Sequence, residues 1–175
     1  MEVRKALLKT YVVVWYGPFH SIEEVQEWEY SQNVNYHLYL LQGKRKSAKN
    51  YSYYCGQTKR YINERFKDKY HRIYQIPNQL NIWIGTFNNR FKIEDINIAE
   101  NLLIYLLTIN IGEPQLLNER SLYFQSQNNI CLLNQWRNPY SYRQPENSIK
   151  MLLPDVVVYN AITDEMKISK RLRSL

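Results

Sequence analysis

Residues 37–58, HLYLLQGKRKSAKNYSYYCGQT, limit what this chain can fold into more than any other stretch. Two runs dense in leucine and tyrosine, residues 36–42 and 51–56, flank a loop of lysine, arginine, serine and asparagine. Apolar and aromatic runs of that length read as strands, and so short a polar connection returns the chain antiparallel, because a parallel pair needs a crossover of a dozen residues or more. The sequence therefore predicts a hairpin here, with Tyr36, Tyr51 and Tyr53 packing as strand tyrosines usually do.

The elements around it are read the same way. TYVVVWY (10–16) is β-branched and aromatic and is expected to stop at Gly17-Pro18. SIEEVQEW follows, with Ser21 and Glu24 in capping-box register and Ile22, Val25 and Trp28 on one side, which predicts a short helix. A helix is expected over 60–73, a strand over 80–87 and a helix over about 94–107. Further on, SLYFQSQ reads as a strand, NQWRNPYSYRQPENS as a loop, and DVVVYN with MKIS as a terminal hairpin. No internal repeat or domain-sized linker occurs, and 175 residues suffice for one domain with a proper core. The expected class is α+β: a single domain over 1–175 with a small mixed or antiparallel sheet flanked by helices.

Charge narrows the partners. The chain carries a net +7, yet ten basic residues lie between Lys44 and Arg72 against only Glu64 and Asp68, so this one segment holds +8 and the remainder sums to −1. Such a concentration points to a polyanion or, less directly, an anionic membrane surface, although no amphipathic helix with a large exposed apolar face accompanies it. Cys55 and Cys131 form no C-x-x-C pair, which argues against a disulfide scaffold or zinc ribbon and makes a reducing cytoplasm the expected setting. The longest apolar run, LLIYLLTINI, is about half of a membrane span and contains Thr108 and Asn110. Lys9 interrupts the apolar N-terminal run and no small-residue cleavage site follows, so a signal peptide is not expected.

At this point the hairpin resembles a known family, the GIY-YIG nucleases. HLY (37–39) stands in the place of the first tripeptide and YCG (54–56) in that of the second. YCGQTKRYINERF is similar to the usual continuation, whose arginine on the following helix is here Arg65. IAENLL (98–103) resembles the helix that carries the single glutamate, Glu100, and LLNER (116–120) the segment with the asparagine, Asn118. The landmarks fall in order over 36–120, leaving 1–35 and 121–175 as extensions. The resemblance implies a metal-dependent DNA endonuclease: Glu100 holding one Mg²⁺ or Mn²⁺, Arg65 with Lys69 stabilising phosphate charge, and Tyr39 or Tyr54 handling the proton of the attacking water. Gly56 and Asn118 support the site, and Lys44, Arg45, Lys46, Lys49, Lys59 and Arg60 lie along the DNA backbone. A homodimer would be the natural route to double-strand cutting. His37, Leu38 and Cys55 depart from the pattern at scaffold positions, and Lys69 stands where a histidine is usual. On a helix His71 would lie about 120° round from Arg65 and face solvent.

Residue chemistry adds its own weight at Glu100. On a helix it projects among Ile96, Leu103, Ile104 and Leu107, and an ionised carboxylate in an apolar stripe needs a compensating partner, either a cation of the chain or a metal ion. Arg65 sits at the edge of the apolar side formed by Ile62, Phe66, Tyr70 and Ile73, where its planar fork can hold a phosphate or simply snorkel. Two other readings stay open. PDVVVYNAITDEMK (154–167) fits the loose PD…E-x-K pattern of another nuclease class if a hairpin centred near Ala161 sets Asp155 across from Lys167, beside Glu165. A non-catalytic DNA-binding module would need only the basic residues and tyrosines, and leaves Glu100 unexplained.

Overall fold

The hairpin is formed by β2 (His37–Lys44) and β3 (Tyr51–Thr58), paired antiparallel so that Tyr39 stands opposite Gly56 and Leu41 opposite Tyr54. The computed structural model describes residues 6–32, 37–87, 91–141, 143, 145, 149 and 152–169; residue 36, assigned above to the first strand, lies outside them. Around the hairpin stand β1 (Leu8–Phe19), β4 (Asn78–Phe87), β5 (Asn129–Arg137), β6 (Val156–Asn160) and β7 (Glu165–Ser169). All belong to one seven-stranded sheet in the order β3-β2-β4-β1-β5-β6-β7. Only β1 and β5 pair in parallel among these neighbours. The architecture is thus mixed α/β with one large mixed sheet rather than a small one.

Helices cover both faces of the hairpin. On one side α3 (Ile93–Asn110) lays Ala99, Leu103 and Leu107 over Trp15, Leu38, Leu40, Cys55 and Trp83. On the other, α1 (Ile22–Gln32), α2 (Ile62–Phe66) and a 3-10 turn (Arg72–Gln75) bury Val25, Trp28, Phe66 and Ile73 against Phe19, Tyr39, Leu41 and Ile84. A strand covered on both faces reads as a continuous apolar run, which is why HLYLLQG shows no alternation.

Four expectations are corrected. The first strand does not stop at Gly17-Pro18; it continues to Phe19 through an irregularity in its pairing with β4 between Tyr16 and Phe19. Proline lacks a ladder donor but is accommodated at such a break, and Gly17 leaves room for the Trp83 ring, 2.6 Å from where a Cβ would stand. SLYFQSQ is irregular, and the strand lies instead at Asn129–Arg137. Buried Asn134 hides that strand's alternation: its amide accepts from Trp15 Nε1 at 2.8 Å and donates to Pro154 O at 2.9 Å. The helix expected over 60–73 ends at Phe66, because Lys67 and Asp68 bond back only three residues, to Glu64 and Arg65. Finally, the N-terminal segment is not an appendage: β1 occupies the middle of the sheet, and the C-terminal segment supplies its last three strands.

What ties the N-terminal segment to the hairpin is a buried carboxylate. Glu29, 1 % exposed on α1, accepts from the backbone amides of Ile62 (2.5 Å) and Asn63 (3.0 Å) and from Asn63 Nδ2 (2.9 Å). It thereby satisfies the free amides at the start of α2, and His37 Nε2 lies 3.7 Å away. His37, which departs from the resembled tripeptide, is therefore matched by an acid on the neighbouring helix. Replacing Glu29 with alanine leaves those buried donors unmet and is expected to lower stability by about 3 kcal/mol, with Glu29→Gln losing less. Urea denaturation measures it, and an unshifted midpoint for Glu29→Ala would remove the carboxylate from this role.

Candidate active site

Strand β3 is the sheet edge, and its outward backbone groups are satisfied in an unusual way. Leu117 N donates to Tyr53 O and Tyr53 N to Gln115 O, both at 2.8 Å, forming a short parallel bridge. One step along, the chain hands over to a side chain: Asn118 Oδ1 accepts from Cys55 N at 3.0 Å and Asn118 Nδ2 donates to Cys55 O at 2.8 Å. A carboxamide thus imitates a backbone partner. At the next outward position Glu100 accepts from Gln57 Nε2 at 2.8 Å and lies against the Gln57 backbone amide. Bridge, Asn118 and Glu100 together close the edge that an exposed strand would otherwise present.

Tyr39 is fully buried on the opposite face, beneath α2 and the 3-10 turn. Its ring crosses Gly56 so closely that a Cβ there would stand 2.6 Å from both Cζ and Oη. Only glycine admits that approach. Tyr39 Oη meets His71 Nε2 at 3.0 Å, while His71 Nδ1 accepts from Ile73 N at 3.2 Å. Since Nδ1 is an acceptor, the neutral ring carries its proton on Nε2 and donates it to Tyr39. Burial, then the charge of Arg65, pushes the His71 pKa down to about 4, so the ring is neutral at pH 7. The charge of Arg65 acts on both Tyr39 and Tyr54, whose ring centres are 6.1 Å apart. The result is a cluster in which His71 bonds Tyr39 and Tyr39 packs on Tyr54, with Tyr54 the half-buried, outermost member. Burial raises both phenol pKa values, and Arg65 works against it at each.

Two positions differ from expectation. His71 does not face solvent: it is 5 % exposed and packs its ring on Tyr39, Tyr54 and Phe66. The helical arithmetic that turned it outward fails because α2 ends five residues earlier. Lys69, by contrast, is exposed, with its ammonium 5.3 Å from the Tyr70 ring centre, and Tyr70 itself is 84 % exposed rather than on the apolar side. Histidine, not lysine, is brought to the tyrosines.

Arg65 is held from outside by Asp68, which also takes Arg60 at 2.7 Å, and the two guanidinium groups keep the Asp68 carboxyl below its usual range. Asp68 and Gln57 were not singled out in the sequence, and His71 was considered there only to be turned toward solvent. The i,i+3 spacing from Arg65 to Asp68 was a usable signal, since such pairs face each other; Gln57 had none, because its role comes from α3 crossing the sheet edge.

Glu100 is partly buried, and burial raises its pKa against the opposing pull of the Gln57 amides and Arg65. Its direct partner is a neutral amide, and among the described residues no ion pair involves it. No group of three or more His, Cys, Asp or Glu able to hold a metal occurs among the described residues. A lone carboxylate facing a neutral partner fits an ion such as Mg²⁺, which takes one or two carboxylates and completes its shell with water and phosphate oxygens. The Cys55 thiol behind it is buried and pushed well up, hence unreactive.

The basic residues divide by position. Lys59 and Arg60 follow β3 directly and sit at the tyrosine end. Lys44, Arg45, Lys46 and Lys49 lie at the far end of the hairpin, five register steps or about 17 Å from Tyr39 at strand spacing. There Lys44 covers the Tyr51 ring and Arg45 donates to Pro114 O. The rival PD…E-x-K arrangement does not assemble: the hairpin turns over 161–164, so Lys167 pairs with Val158 and Glu165 with Asn160, three residues or more from Asp155. Asp164 instead accepts from Tyr159 Oη at 2.6 Å and Tyr123 Oη at 3.1 Å, pinning the turn.

Comparison with protein-family models, curated proteins and solved structures finds no match.

Two outcomes follow from this geometry. Gly56→Ala forces the Tyr39 ring aside and is expected to cost about 1–3 kcal/mol in thermal or urea unfolding; an unchanged midpoint would mean the ring yields freely. His71 binds its proton near 6.5 when unfolded but only at about 4 when folded, so between those values the unfolded chain holds more protons. Its contribution, about 3 kcal/mol, is complete above pH 6.5 and lost as pH falls toward 4. Stability of the wild type should therefore fall more steeply over this window than that of His71→Gln, and parallel profiles would refute the assignment.

Proposed function

We propose that the chain is a divalent-metal-dependent DNA endonuclease of GIY-YIG type, hydrolysing phosphodiester bonds as a restriction-like or mobile-element enzyme of the cytoplasm. The observation that supports this reading is convergence. Tyr39, Tyr54, Arg65 and Glu100, from separate elements, meet across the end of one edge strand, with Gly56 beneath Tyr39 and Asn118 bracing Cys55. DNA binding alone gives no reason to place a partly buried glutamate beside them.

In this mechanism Glu100 would hold a Mg²⁺ or Mn²⁺ ion, which when bound would supply charge neutralisation at the scissile phosphate and polarisation of the leaving group. Arg65 exchanges part of its contact with Asp68 for a phosphate oxygen and stabilises the charge that develops on it. Tyr54 is the general base. Its oxygen feels the field of Arg65, which favours the phenolate, and it is half-buried, whereas Tyr39 has no exposed atom with which to reach a water. His71, locked as the Nε2–H tautomer, cannot take a proton from Tyr39 and acts as a donor to it. Lys59 and Arg60 hold the backbone beside the cut without reading sequence.

Plasmid cleavage with and without Mg²⁺ or Mn²⁺, comparing wild type with Glu100→Gln at matched DNA binding, tests the proposal. Metal-dependent cutting that disappears in the variant is expected. Tyr54→Phe should lower the rate by about 10²–10⁴-fold and Tyr39→Phe by less, with wild-type rates rising as pH increases. Cutting that survives in Glu100→Gln would displace the metal from this carboxylate. Binding without cutting, on varied DNA, would assign a non-catalytic module, in which Asp68 holds Arg65 permanently.

A further inference from the structure

Tyr70 immediately precedes His71, yet the two residues have opposite fates. The imidazole is buried against Tyr39 and Tyr54, whereas the Tyr70 ring is 84 % exposed. Lys69 lies with its ammonium 5.3 Å from that ring's centre, and four residues on, Tyr74 is 54 % exposed. Lys67 and Lys69 are both exposed, and among the described residues neither joins an ion pair. The exposed Tyr70 ring thus stands with Lys69 against it and Lys67 close by in the chain, next to the buried His71 of the candidate active site and within the segment that carries the chain's whole excess of positive charge, while Tyr74 lies two residues beyond that segment.

Lysines alone would suit the backbone of any nucleic acid. Exposed rings add something a duplex cannot use along its length, since its base faces are already stacked on one another; an aromatic ring pairs with a base only where that base is unpaired or turned out. We infer that the nucleic acid engaged at this site carries unpaired nucleotides next to the scissile phosphate, and that Tyr70 is the platform on which a base stacks. The inference rests on the proposed nuclease reading for the position of the cut, but not for the binding itself. It names the substrate class: DNA with a single-stranded segment, flap or junction beside the phosphate held by Arg65.

Binding is read by fluorescence anisotropy in EDTA, with a labelled oligothymidylate and a blunt hairpin duplex of equal length. Wild type is expected to prefer the single strand. Tyr70→Leu should weaken single-strand binding roughly tenfold while leaving the duplex almost unchanged, and Tyr70→Phe, which keeps the ring, should bind as wild type does. Circular dichroism of the variants checks that so exposed a substitution leaves the fold intact. Equal weakening on both probes, no weakening in Tyr70→Leu, or no single-strand preference in the wild type would each overturn the inference. Because no metal is present, a protein that stacks single strands here but never cuts DNA would sink the nuclease reading and leave this one standing.

Discussion

The carboxylate of Glu29 pins together parts of the chain that otherwise meet only through side-chain packing. An acid at 1 % exposure is stable only if its oxygens are fully engaged, and here the amides of Ile62 and Asn63 and the side chain of Asn63 engage them, with His37 close by. α2 is only five residues long, too short to persist by its own hydrogen bonds. Fixing its first turn from α1 therefore decides where Arg65 projects and where the following turn brings His71. The segment that looked like an extension is part of the apparatus that sets the candidate site.

A second constraint comes from the sheet edge. Backbone donors and acceptors along β3 need partners, and the chain provides them by three different means in succession: a backbone bridge, the Asn118 carboxamide and the Glu100 carboxylate. Glu100 thereby gains a fixed place beside Gln57 while keeping lone pairs available. On the other face the same strand contributes Tyr54, and Gly56 lets Tyr39 lie flat enough to reach it. One edge strand thus brings an acid and a pair of phenols to within a strand's thickness of each other, in a setting that burial makes unfavourable for charge on any of them. That shared desolvation is offset chiefly by Arg65 at Tyr39 and Tyr54, and at Glu100 by the Gln57 side chain ahead of Arg65.

Much of this was legible in the sequence, and the boundary is physical. The hairpin of β2 and β3, the helix carrying Glu100 and the terminal hairpin follow from patterns a few residues wide: apolar runs, turn-forming residues, helical periodicity. Misreadings arose where a local pattern met a distant partner. Asn134 looked like a loop residue because its partners, Trp15 and Pro154, are far off in the chain. Residues 60–73 look helical by spacing, but the bonds of Lys67 and Asp68 tighten the turn and end the helix. His71 was turned the wrong way by assuming that helix continued.

By itself, then, the sequence determined the central hairpin, the helix carrying Glu100, the terminal hairpin and the single concentration of positive charge, because composition and periodicity act over short range. Only the tertiary structure decided that β1 lies at the centre of the sheet, that histidine rather than lysine reaches the tyrosines, that Tyr54 and not Tyr39 is partly open to solvent, and that Asp155 is kept apart from Glu165 in the C-terminal hairpin. Each of these depends on strand order, register and burial, and those are fixed by contacts between residues whose separation along the chain leaves no trace in local pattern.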